Sequence, residues 1–372
     1  MLRLSRNVLI LGVVSFFTDV SSEMILILLP LFYLTLGAGG AAIGLIEGLA
    51  ESVSSLMKVF SGWYSDKIGR KKIFVGSGYC LSAVTKIFFA IATTWPQVLV
   101  IRFTERLGKG LRTSPRDALI AASTDEKTYG RAFGFHRAMD TAGAIGGVLL
   151  ALILIGYLTY RQIFLLAVIP AAISVVFVLF VEEKKGKTRE SKLQVKLTSK
   201  YRHLMLVVTI FGLANFSYAF LVLRANSLGA SDKMVISLYL FYNIIYAAAA
   251  IPVGELADMF SRKAIVVFGY LLFASMCLGF AMTSDLFYVA FLFALYGVYQ
   301  AVMEGVHKAY IAELVEEDVR GTAYGIFHTI IGLTALPASF IAGLLWQYVS
   351  PATAFIYGSS MASLAAALLI LL

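Results

Sequence analysis

Apolar runs of roughly 20 residues recur from one end of this chain to the other, each long enough to cross a hydrocarbon core of about 30 Å as a helix. That feature removes most folds from consideration. In lipid every backbone N–H and C=O must be satisfied within the spanning structure, which leaves helices and closed barrels. Barrel strands are short and alternate apolar with polar, whereas Ile163 to Val181 and Ala264 to Thr283 are almost continuously apolar. The expected fold class is an all-α membrane protein whose partner is the lipid bilayer. Of the 372 residues, 59% are hydrophobic and only 14% charged, which is outside what a soluble domain carries.

On a soluble chain the formal charge of +9 would point to nucleic acid. In a membrane protein the placement of Lys and Arg matters more than their sum. Arg3 and Arg6, the Lys67 to Lys72 run, Lys127 and Arg131, the Lys184 to Arg202 stretch, Arg262 with Lys263, and Arg320 fall in alternate loops, while the opposite loops hold mainly Arg161 and Lys233. The positive-inside rule then places the N-terminus and the long central loop in the cytoplasm, in a multi-pass protein of the cytoplasmic (inner) membrane with no nucleic-acid partner. Arg3 and Arg6 before an apolar stretch imitate a secretory leader, but that stretch runs on through Asp19 and Glu23 without a small-residue cleavage pattern, so a retained first helix is expected. Cys80 and Cys277 lie in separate spans and read as packing residues.

Hydropathy and turn signals place twelve spans near 8–36, 41–64, 73–93, 97–122, 132–155, 163–181, 204–226, 234–257, 264–283, 286–313, 322–346 and 352–372. Residues 182–203 are rich in Lys and lack an apolar face, so they read as a cytoplasmic basic linker between an N-terminal six-helix bundle, 1–181, and a C-terminal one, 204–372. An internal repeat supports the division. GWYSDKIGRKK (62–72) is echoed by GELADMFSRKA (254–264), and ALIAASTDEKTYGRAFG (118–134) by AYIAELVEEDVRGTAYG (309–325). Both echoes have an offset of about 190 residues, as two pseudo-symmetric parallel repeats require.

The segment Gly62 to Lys72 resembles the G-x-x-x-D-[RK]-x-G-R-[RK]-[RK] signature of the major facilitator superfamily, matching at Gly62, Asp66, Lys67, Gly69, Arg70, Lys71 and Lys72. The second copy keeps Gly254, Asp258, Arg262 and Lys263 but has Ser261 where the first has Gly69. FTDVSSEM, RLGKGLRTSPRDALIA and FGFHRAMDTAGA resemble a prokaryotic branch of that family described mostly as permeases or efflux proteins. The resemblance implies a conformational latch in which Asp66 meets the Gly321 and Thr322 region and Arg70 pairs with Asp117. By the repeat, Asp258 would meet Gly130, and Glu313 is a candidate partner for Arg262. The alternative is that Arg70, Lys71 and Lys72 only fix topology.

Asp19 and Glu23 lie four residues apart in the first span, on one helical face at membrane depth. A carboxylate held there must pair, protonate or line water, so both are proton-coupling candidates unless basic residues of the fourth or fifth span pair with them. The fourth span carries Arg102, Glu105, Arg106, Lys109, Arg112 and Arg116 at spacings of three, four and seven, a stripe that cannot face lipid. Arg102 with Gly108 and Gly110 resembles the family's R-x-x-Q-G-x-G motif, whose arginine is implicated in proton transfer, although Glu105 and Arg106 depart from it. The fifth span offers Arg137 and Asp140, then Gly143, Gly146 and Gly147 for close packing. Gly134, Gly143 and Gly147 have the spacing of the family's antiporter motif, with Val148 in place of its proline.

In the second half the polar intrusions are Arg224 and the Glu304, His307 and Lys308 cluster, read either as an internal ion pair or as a substrate or proton site. Tyr218 and Tyr242 are candidates for lining a path. No metal-ligand spacing, Walker loop or catalytic dyad occurs, so the expectation is a monomeric secondary transporter without cofactor, not an enzyme. The first reading is proton-coupled export of a small organic or drug-like substrate by alternating access. The second is uptake or exchange of an organic anion, because Arg102, Arg106, Arg137, Arg224 and Lys308 give the path cationic character. A sensor or scramblase on the same fold is the third.

Overall fold

A computed structural model describes residues 4–124, 128–183, 198–316 and 319–371, apart from the side chains of Ala257 and Asp258. The described residues form helices and short connections, with no strand among them. In chain order the helices are α1 (Arg6–Leu26), α2 (Leu29–Thr35), α3 (Gly40–Ile68), α4 (Lys71–Ile91), α5 (Trp95–Ala122), α6 (Tyr129–Leu154), α7 (Tyr160–Leu166), α8 (Val168–Leu179), α9 (Ser199–Ala214), α10 (Ala219–Ser227), α11 (Asp232–Met259), α12 (Arg262–Met282), α13 (Leu286–Leu314), α14 (Arg320–Tyr348) and α15 (Pro351–Leu371). Ten helical stretches among the described residues are long and apolar enough to cross a membrane. The other two long helices, α3 and α5, carry more charge, from Glu47, Glu51 and Lys58 in one and from Arg102 through Arg116 in the other.

Three expected spans are each broken in two. Pro30 follows the α1/α2 break and Pro170 the α7/α8 break. A proline ring collides with the carbonyl four residues back and offers that carbonyl no N–H, and those carbonyls belong to Leu26 and Leu166, where α1 and α7 end. The α9/α10 break has no proline. There Asn215 leaves helical geometry at φ −85° and ψ 73°, and the Ser217 N–H donates to Ser339 Oγ of α14 at 3.1 Å. Helix α9 starts at Ser199, capped by the Thr198 hydroxyl accepting from the Tyr201 N–H, so the end of the expected linker is already helical.

The chain divides into two compact units. The first takes the chain up to Gly37 and from Val53 through α8; the second takes Ala38–Ser52 and α9 through α15. In the first unit α1 lies against α6 and α8, and α4 against α5. Between helices in lipid there is no apolar-burial drive, so close backbone approach at small residues carries the packing. A Cβ on Gly108 would meet the Gly78 carbonyl at 2.7 Å, and Cβ atoms on Gly143 and Gly147 would strike the Phe16 and Val20 carbonyls. In the second unit Gly40, Gly44 and Gly48 press on Gly343, Ser339 and Leu336 of α14, while Phe211 and Tyr270 stack at 3.9 Å between ring centres. Cys80 is exposed on α4; Cys277 on α12 is fully buried.

The two copies of the repeated loop differ in shape. Gly69 closes α3 with φ 68°, a left-handed conformation that a side chain resists, and its N–H donates to Ser65 O at 2.9 Å. Ser261, its counterpart, has φ −58°, so the second turn makes no such demand and tolerates a side chain. Gly62 lies 3.2 Å, through a would-be Cβ, from Ser114 of α5, whereas a Cβ on Gly254 would meet open space.

Candidate functional site

The first unit holds a recess open to solvent, about 440 Å³ when the solvent at its mouth is counted, lined by α1, α4 and α5. Helix α5 presents Arg102, Glu105, Arg106, Lys109 and Arg112 to it. This face is turned inward because Gly108 sits on α4 and Gly110 sits on Ser54 and Met57 of α3, while charge cannot face lipid. Helix α1 adds Asp19, Ser22 and Glu23, and α4 adds Lys86 and Phe89. Four residues expected from sequence, Asp19, Glu23, Arg102 and Arg106, are therefore brought together.

Within the recess Glu105 Oε2 accepts from Arg102 Nη1 at 2.9 Å and stands 3.7 Å from Arg106 Nε. Lys86 Nζ donates to Ser21 Oγ at 2.6 Å and to Ser22 Oγ at 3.2 Å. Ser21 Oγ in turn donates to the Ala167 carbonyl at the α7/α8 break. Arg112 Nη1 donates to Ser82 Oγ at 2.6 Å, with its guanidinium 4.6 Å above the Tyr79 ring. Arg106 is 8% exposed, yet its Nε–H has no hydrogen-bond acceptor.

The remaining candidates lie elsewhere. Asp140 of α6 accepts from Ser15 Oγ and is 3.6 Å from His136 Nδ1, tying α6 to α1. Arg137 is exposed and is not part of the recess lining. In the second unit Arg224 donates to the carbonyls of Phe280 and Thr283 at 3.0 and 2.8 Å, so it closes the C-terminal end of α12. The Glu304, His307 and Lys308 cluster, read from sequence as an internal ion pair or a substrate or proton site, is split. Glu304 and Lys308 are exposed and Tyr246 donates to Glu304, whereas His307 is buried with its Nε2 2.9 Å from Tyr270 Oη. On the helix His307 points about 60° from Glu304 and about 100° from Lys308, enough to turn it into the core. Tyr242 packs between Tyr239 and Tyr296, with ring centres 5.2 and 4.9 Å away, and Tyr218 lies 5.6 Å from Tyr239.

At the repeated loops, Asp66 is 3.1 Å from Lys71 Nζ. Asp117 accepts from Arg116 Nε and Nη2 at 3.0 and 2.9 Å, in place of the expected Arg70. Adjacent residues at the α5 C-terminal turn reach each other without the ordering a partner across the loop would require. The backbone N–H groups of Lys71 and Lys72, unpaired at the start of α4, are taken by the Glu183 carboxylate. Glu182 is bound by Arg6 at 2.5 Å. These two carboxylates are therefore anchored to the first unit, although the stretch was expected to be solvated. Arg262 Nη1 lies 3.4 Å from Glu313 Oε2. The Asp258 side chain lies outside the described residues.

Sequence reasoning missed Lys86. The signal was present, because it is a lone ionisable residue inside an apolar span, and such residues mark functional paths by default.

A model of the Major Facilitator Superfamily matches residues 11–223 and 203–372. An uncharacterized MFS-type transporter of Methanocaldococcus jannaschii is 42% identical over 379 residues, 99% of this chain and 95% of that one. The cis,cis-muconate transport protein of Acinetobacter baylyi is 24% identical, over 81% of this chain and 78% of its own length. The crystal structure of a nucleoside transporter superposes with a TM-score of 0.81 at 15% identity, covering 98% of this chain and 99% of that one, a likeness of fold alone. The chain belongs to the major facilitator superfamily. It is a multi-pass membrane transporter of that type, and its spans form the family's two six-helix bundles.

Proposed function

We propose that this transporter moves a small organic anion across the cytoplasmic membrane by alternating access, with protons taken up and released at Asp19 and Glu23. The observation that carries the reading is the recess charge: five cationic side chains against three carboxylates. That balance favours an anionic cargo over the neutral or cationic drug-like compound that the efflux resemblance implies. The name of the Acinetobacter relative, a muconate transport protein, supports the same class of cargo. Carboxylates in the same recess as the cations give a proton and an anion a shared electrostatic environment, which is what coupling needs. The loops at Gly62–Lys72 and Gly254–Ala264 act as latches, and the basic stretch 182–203 links two six-helix halves, 1–181 and 204–372, on the cytoplasmic side of a monomer.

Internal pH in sealed proteoliposomes tests this, with organic anions, neutral amphiphiles and organic cations added in turn to wild type and Asp19→Asn. An anion-dependent proton flux that disappears in the variant is expected. A flux driven only by cations or neutral compounds would overturn the anion reading, and anion movement without proton flux would remove Asp19 from the mechanism.

A further inference from the structure

The recess carries two more positive charges than negative ones when every lining group is ionised. Its hydrogen bonds do not remove that excess. Lys86 and Arg112 donate their hydrogen bonds to the hydroxyls of Ser21, Ser22 and Ser82, and the three carboxylates of the lining, Asp19, Glu23 and Glu105, are shared among five cations. Glu105 gives its close contact to Arg102, and Arg106 is left at 3.7 Å with an Nε–H that meets no acceptor. Asp140 and Asp117, the nearby carboxylates of α6 and of the α5 end, lie outside the lining and are engaged by Ser15 with His136 and by Arg116. A buried cation lacking both acceptor and full counter-charge is costly, so such a site gains most from a ligand that supplies both.

Arg106, with its unpartnered Nε–H, and Lys86, with a donor to spare, are two cations of the lining with N–H groups left to offer, and they differ in helix and in chemistry. Arg106 on α5 offers a guanidinium edge. Lys86 on α4 has three N–H donors, of which two are used by Ser21 and Ser22. Phe89, Ile25 and Leu26 add apolar wall to the same recess. Resting on the reading of the protein as an anion transporter, we infer that its cargo is a dianion, two acidic groups on a short apolar framework, with one acid meeting Arg106 and the other meeting Lys86. A monoanion would leave one of the two excess charges unmatched.

Isothermal titration of the purified full-length protein in nanodiscs at neutral pH tests this with size-matched pairs: succinate against succinamate, adipate against adipamate, and terephthalate against 4-carbamoylbenzoate, with the corresponding diamides as neutral probes. In the best-fitting pair the dianion should bind at least about tenfold more tightly than its monoanion. Lys86→Gln should bring that ratio close to one, and Lys86→Arg should restore it. Equal binding of dianion and monoanion throughout the panel would overturn the dianion proposal and leave the anion reading intact. Diamides binding as well as the acids, or no acid binding at all, would overturn both. The wild-type ratio is decisive even if Lys86→Gln fails to fold.

Discussion

Replacing Glu105 by glutamine removes one negative charge from the recess while keeping the shape of the side chain. At an effective dielectric constant of about 20, a carboxylate 2.9 Å from Arg102 and 3.7 Å from Arg106 gains about 6 and about 4 kcal/mol of gross attraction. Desolvating three ions takes back several kcal/mol each, so the intact triad contributes little net stability. Removing the carboxylate alone is a different matter. Two guanidinium groups then share a buried site without it, and a loss of about 3 kcal/mol is expected, the lower end for a broken buried pair because the amide oxygen still accepts one hydrogen bond. The variant should also bind anions more tightly, since the charge excess grows. Denaturant unfolding in nanodiscs, with and without the tightest anion at about 100 times its Kd, separates the two effects. Ligand at that concentration adds about 2.7 kcal/mol to the protein it saturates, so the anion should recover most of the loss in the variant. At one fixed anion concentration the variant should gain more than wild type does. Equal stability of the two proteins without ligand would refute the buried-triad reasoning, and a smaller anion gain in the variant would refute the charge-excess reasoning.

Three further outcomes are expected. Gly108→Val drives a Cβ into the Gly78 carbonyl at 2.7 Å and should cost about 3 kcal/mol or more, read as lost monodisperse yield in size-exclusion chromatography, and normal yield would show that α4 and α5 can separate. Arg224→Ala leaves the Phe280 and Thr283 carbonyls without their donor and should lower stability by about 1–2 kcal/mol with anion affinity unchanged; a tenfold loss of affinity would return Arg224 to the substrate path. Asp66→Asn should slow transport in proteoliposomes without changing the Kd for anions, and unchanged rates would sink the latch.

Much of the fold was legible because lipid leaves so few options. Continuous apolar runs gave the helices, and an offset repeat gave the two halves. The breaks were less visible, although Pro30 and Pro170 announce two of them once the carbonyl four residues back is considered. The break after Ala214 has no such marker and depends on Ser339, more than a hundred residues away. The recess was half legible. Intramembrane charge singled out Asp19, Glu23, Arg102 and Arg106, but periodicity does not say which charged groups an α-helix shares with its neighbours. Lys86, a lone ionisable residue in an apolar span, carried the same signal and was passed over, and Arg224 was read as a path candidate because a cation that closes a helix end looks, in sequence, the same as one that waits for a ligand. The Glu304, His307 and Lys308 run shows the same limit, since one helical turn separates an exposed acid from a buried imidazole.

The two cysteines have a practical consequence. Cys80 is exposed on α4, two residues from the Ser82 that receives Arg112, while Cys277 is sealed at 0% exposure. The native sequence thus supplies a single addressable thiol on a helix that lines the recess. A fluorophore or spin label attached there with a lipophilic maleimide would report on α4 as anions come and go, without a cysteine-free background having to be built first.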